Sequence, residues 1–129
     1  MNPNDAMGIE RFVQGTLGCQ CPDEVFRHVE VGRLPAGGAT GRRLVIGDRL
    51  LIHIVEAPER PDAPDWLERL AAAGRDERNR RGYNRFRLVV ATPTAAGDPS
   101  ALEGRFTRAL GADERAHLHV LAADLLPIV

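Results

Sequence analysis

The two cysteines of the chain stand one residue apart, in Cys19-Gln20-Cys21-Pro22. The next residues have the makings of a helix start. Proline suits the first helical position, and Asp23 and Glu24 face the positive end of the helix dipole. With Cys21 as N-cap and Cys19 just outside it, the sulfurs meet unpaired backbone N–H groups that favour thiolate. Thiolate is the form that ligates soft metals, attacks disulfides or reacts with electrophiles. Two sulfurs at this spacing can reach one metal ion, or close a small, strained and oxidising disulfide ring. The chemistry implied is binding of a transition metal, zinc or iron, with His28 as a further ligand, or thiol redox. A closed zinc site or an iron–sulfur cluster needs more ligands than two cysteines, from histidines or a second copy of the chain. Asp23 and Glu24 oppose thiolate electrostatically. The plain alternative is a pair of small, partly buried residues at a turn between helices.

A second constellation comes from strand alternation. If Leu118 and Val120 face the core, His117 and His119 both point to the other side of the sheet. By the same reasoning Ile52 and Ile54 leave His53 opposite, and Phe86 and Leu88 leave Arg85 and Arg87 opposite, with Asn84 just before them. Val29 and Val31 inward leave His28 and Glu30 outward. One face is thus expected to collect His28, Glu30, His53, Arg85, Arg87, His117 and His119. It reads as a surface for an anion, a metal chelated by His117 and His119, or a partner. A two-layer fold also has one wet sheet face, where polar residues belong without any function.

The sequence holds no nucleophile–base pair and no paired carboxylates suited to acid–base work, so whether it is an enzyme stays open. Gly37 to Gly41 matches neither a P-loop nor a dinucleotide fingerprint. Arg75 to Arg81 reads as a solvated helix end, with Tyr83 and Phe86 the only nearby stacking surfaces.

These residues need elements to position them. Ile9, Phe12, Val13 and Leu17 recur at helical spacing and predict a helix over Asp5 to Leu17, closed by Gly18. A short helical turn after the cysteines buries Val25 and Phe26. His28 to Val31 alternates as a strand, and Gly47-Asp48 is a hairpin turn between Leu44–Ile46 and Leu50–Val55. Asp62 or Asp65 caps a long helix from Trp66 to Gly82. Phe86 to Ala91 is a buried strand, and Ser100-Ala101-Leu102-Glu103 fits a capping box for a helix to Leu110. His117 to Leu121 is the last strand. The order implies an α/β (or α+β) fold in one domain, residues 1–129, of two or three layers. Its mixed sheet has about five strands, with three main helices and the short turn after the cysteines.

Apolar residues make up 43% and charged residues 27%, a globular balance. The net charge of −1 gives no global electrostatic case for nucleic acid or an anionic membrane. Every basic residue is arginine, the cation suited to planar, bidentate contacts with carboxylate or phosphate. The apolar run from Leu44 to Val55 is too short and too charged to span a bilayer. With no signal-peptide pattern at the N-terminus, a cytoplasmic location with reduced thiols is expected. The alternative to a thiolate site is a non-catalytic interaction module that uses the His/Arg-rich sheet face for self-association, as a homo-oligomer, or for a partner.

Two blocks resemble a group of small bacterial and archaeal proteins of unknown function. Leu17 to Phe26 is similar to their Gly-Cys-x-Cys-Pro-x-Glu-Val-Phe signature, and Gly82 to Ala91 to their Gly-aromatic-Asn-Arg-Phe-Arg block. The resemblance implies no activity; it couples Cys19 and Cys21 with Asn84, Arg85 and Arg87 as residues to test together.

Overall fold

The computed structural model describes residues 11–18, 28–34, 41–57, 65–92, 99–111 and 113–122. Their elements are α1 (Phe12–Thr16), β1 (Val29–Leu34), β2 (Gly41–Ile46), β3 (Leu50–Glu56), α2 (Trp66–Arg81), β4 (Arg85–Thr92), α3 (Pro99–Leu110) and β5 (Ala116–Ala122). The strands form one mixed sheet in the order β1-β2-β3-β4-β5. The first two pairings are antiparallel and the last two parallel. This pattern dictates the connections. A tight turn suffices between antiparallel neighbours, whereas parallel neighbours need a crossover, supplied here by α2 and α3.

The β2–β3 turn forms where the sequence places it. Gly47 and Asp48 have φ of 58° and 55°, and the Arg49 N–H donates to the Ile46 carbonyl at 3.1 Å. Two successive left-handed residues give the primed-turn twist that matches paired strands, which is why Gly-Asp serves there. Gly82, at φ 73°, closes α2: its own N–H and that of Tyr83 both end on the Arg78 carbonyl. Two start signals act differently from expectation. Asp65 occupies the N-cap of α2 at φ 74°, yet its side chain makes no cap hydrogen bond. Helix α3 begins at Pro99, so Ser100 is its second residue and not its cap; the ring's fixed φ already suits the first position. Helix α1 is a wide π-type turn in which the Leu17 N–H reaches the Phe12 carbonyl at 2.9 Å.

The sheet is buried on both faces. Phe12, Val13 and Leu17 pack with Leu44, Ile46, Leu50, Ile52, Ile54 and Val89 on one side. On the other, Leu67, Ala71, Leu102 and Phe106 of α2 and α3 cover Val45, Leu51, Val55, Phe86, Leu88 and Val90. The molecule is therefore three-layered, α1 against the sheet against α2 and α3. Leu50 through Val55 are buried without a break, the run of a central strand beside a parallel neighbour. Gly74 is where α2 comes closest: a Cβ there would overlap the Phe86 ring at Cζ.

Candidate functional site

Register decides which chemistry-bearing side chains meet. Arg85 pairs with Leu50, Arg87 with both Ile52 and His117, and Val89 with both Ile54 and His119. Directly paired residues share a face, so Arg85, Arg87, His117 and His119 lie together on the α1 side. His53 does not join them. It pairs with Arg43 and Leu88 on the α2 side, where Glu30 also falls, opposite Val45. The expected single polar face is thus split in two. The cause is physical: β3 is apolar on both sides, so its alternation carries no sign of which side Ile52 and Ile54 take. Parallel pairing sets Ile52 beside Arg87 and not with Phe86 and Leu88.

His28 precedes β1 with an exposed side chain, and its carbonyl accepts the Gly47 N–H at 2.7 Å. Asn84 is exposed and donates its backbone N–H to the Arg49 carbonyl at 2.7 Å. Cys19 and Cys21, and the helical turn expected after them, lie outside the described residues.

Arg87 is the centre of the α1-side group. One of its terminal nitrogens, Nη1, donates to the Leu17 carbonyl at 3.0 Å and to Nε2 of His119 at 2.8 Å. Because a guanidinium only donates, His119 must accept with Nε2 and carry its proton on Nδ1. Burial and the charge of Arg87, with a lesser push from His117, hold the His119 pKa down to about 4. Burial, then Arg87 and Arg85, lower His117 as well. The guanidinium has neutral acceptors and no carboxylate among the described residues. Its Nε is buried with no partner. Nε–H belongs to the side of the fork that can grip a carboxylate or phosphate, and it is enclosed by the protein with no acceptor among the described residues. A desolvated guanidinium in this state is costly unless something anionic meets it.

The opposite face shows paired charge. Glu77 of α2 is held by Nε and Nη2 of Arg43 through Oε2, and its Oε1 lies 3.1 Å from Nε2 of His53. Arg43 also reaches the Tyr83 hydroxyl at 3.3 Å. Burial raises the Glu77 pKa, but Arg43 and then His53 outweigh it, so the carboxylate ionises below its usual range. Burial keeps His53 neutral against the pull of Glu77, with its ring edge-on to Phe86 at 5.1 Å. Arg78, 2% exposed, makes a two-pronged contact with Asp113 at 3.0 and 2.8 Å. Arg105 joins α3 to α2 through Glu68 at 3.0 and 2.8 Å, and that hydrogen bonding brings the Glu68 pKa to about 2.

The inward role of Glu77 and Arg78 escapes a reading of Arg75 to Arg81 as a solvated end. The signal lies in the spacing: Leu67, Ala71, Gly74 and Arg78 make one buried stripe at helical intervals. Tyr83 and Phe86, expected as stacking surfaces, are both buried. The His117-x-His119 pair does share a face, but its chelating use is opposed, since Arg87 occupies Nε2 of His119 and adds positive charge. Among the described residues no group of three or more His, Cys, Asp or Glu is placed to hold a metal ion. Nor is any described helix long and apolar enough to cross a membrane. No family model matches the sequence, and no curated protein or solved structure does either.

Proposed function

We propose that the protein is a small-anion-binding module centred on the guanidinium of Arg87. One observation carries this: a partly buried guanidinium is held in place by a carbonyl and a neutral imidazole, with no carboxylate on it and its Nε without a partner among the described residues. Arg85, two residues along β4 on the same face, adds a second cation, and His117 and His119 frame the site. The chemistry that fits is a carboxylate or a phosphate oxygen pair, bound and not transformed, because no nucleophile–base pair accompanies it among the described residues.

Thermal unfolding in inorganic phosphate or acetate tests the proposal. An anion at about 100 times its Kd stabilises the folded state by about 2.7 kcal/mol. Arg87→Lys keeps the charge but not the fork, and is expected to weaken binding at least about tenfold, the roughly 1.4 kcal/mol that one lost charge-assisted contact is worth. Equal responses in wild type and Arg87→Lys would refute it.

The thiolate reading of Cys19 and Cys21, for zinc, iron or thiol redox with His28, is a separate proposal supported by their spacing in the sequence. Elemental analysis of wild type against the Cys19→Ser/Cys21→Ser variant decides the metal. Metal-free protein whose thiols alkylate no faster than a free peptide would end that reading.

A further inference from the structure

The rim of the sheet next to Arg87 carries a row of arginines, of which the small-anion site uses only Arg85. Arg49, Arg85 and Arg115 stand at the starts of three adjacent parallel strands. The Arg85 N–H donates to the Arg49 carbonyl at 3.2 Å, and the Phe86 N–H to the Arg115 carbonyl at 2.8 Å. Neighbouring strands are about 4.8 Å apart, so the row spans on the order of 10 Å. Arg80 and Arg81 end α2 just before Asn84 and Arg85. All five side chains are exposed, and none makes an ion pair among the described residues. Of the carboxylates here, Asp113 is bound to Arg78, which leaves Asp48 and Glu114 beside the row.

We infer that this rim binds the phosphate backbone of a nucleic acid, with one phosphate against the Arg87 guanidinium and its neighbours on Arg85, Arg115 and Arg49. This assignment rests on the small-anion site of Arg87 and names its ligand class. Three features select this partner. The cations form a line across three neighbouring strands, with Arg87 set back on the middle one, and phosphates repeat along a nucleic-acid chain in the same linear way. The rim offers no apolar side chain for a bilayer: the exposed large hydrophobic among the described residues, Val31, is on β1 at the far edge of the sheet. Tyr83 and Phe86 are buried, so neither offers bases a stacking platform, and recognition is assigned to the backbone.

Fluorescence anisotropy with a labelled single-stranded oligonucleotide of about 20 nucleotides tests it, with inorganic phosphate titrated in parallel. About four phosphate contacts on a single strand predict an affinity loss of roughly 50-fold between 50 and 200 mM salt. Affinity is expected to be indifferent to base sequence. Arg49→Gln/Arg115→Gln removes two contacts, lowers the salt slope by about 1.4 and weakens binding at least tenfold, while the thermal response to phosphate stays as in wild type. An oligonucleotide that fails to bind at low salt overturns the inference, as does a double variant that binds like wild type. Equal binding of polyglutamate or of phosphatidylserine vesicles also overturns it. If phosphate still stabilises the protein in those cases, the anion site stands and only its ligand class falls. If phosphate has no effect either, both fall.

Discussion

The two faces of the sheet handle buried arginine in opposite ways. On the α2 and α3 side, Arg78 is enclosed and answered by both oxygens of Asp113, and Arg43 shares Glu77 with His53. On the α1 side, Arg87 is answered by a carbonyl and a neutral imidazole, with no carboxylate among the described residues. The first face uses its charges to join helix to sheet. The second leaves a guanidinium without a counter-charge among the described residues.

The largest test of this contrast is Asp113→Ala, which strands Arg78 as a buried, unpaired cation. It is expected to cost about 3–5 kcal/mol in urea unfolding. Arg87→Met, which removes an already uncompensated charge, is expected to stay within about 1 kcal/mol of wild type. Similar losses in the two variants would erase the distinction between the faces.

Next in size is Gly74→Ala, which sharpens the picture of a tight α2 face. Alanine gains about 1 kcal/mol of helix propensity over glycine, but its methyl group would overlap the Phe86 ring. Overpacking of this kind gives a net loss of about 1–3 kcal/mol. A stabilised variant would mean that α2 can lift away from β4 at little cost.

A further test is a pH dependence. His119 is held at about 4 in the folded protein, against an unfolded value near 6.5. The unfolded chain therefore binds more protons between these values, and stability falls as pH drops from about 6.5 towards about 4. Thermal unfolding across that window is expected to be shallower in His119→Gln. Saturating phosphate is also expected to flatten it, because an anion on Arg87 removes part of the field that keeps His119 neutral. An unchanged slope in His119→Gln would place the titration on His53 or His117 instead.

The elements are legible in the sequence where pattern and punctuation agree. Gly47-Asp48 marks the hairpin, Trp66 to Gly82 the long helix, and Phe86 to Ala91 a strand, because turn chemistry and period are local properties. Face assignment is not local. Alternation groups Arg85, Arg87, His117 and His119 correctly, since β4 and β5 each alternate visibly. It misplaces His53 and Glu30, because sides are assigned strand by strand and pairing register lies in no single strand. Arg43 and Glu77 give no signal of their own, for a charged residue in an arginine-rich segment looks solvated until tertiary contacts bury it.

The hairpin tip has a kinetic meaning as well. The meander β1-β2-β3 closes through short loops, whereas β4 reaches β3 only after the whole α2 crossover, and non-local closures of this kind slow folding. The Arg49 carbonyl, fixed by the turn at Gly47 and Asp48, receives the N–H groups of both Asn84 and Arg85. A preformed hairpin thus presents an acceptor that sets where the parallel strand begins.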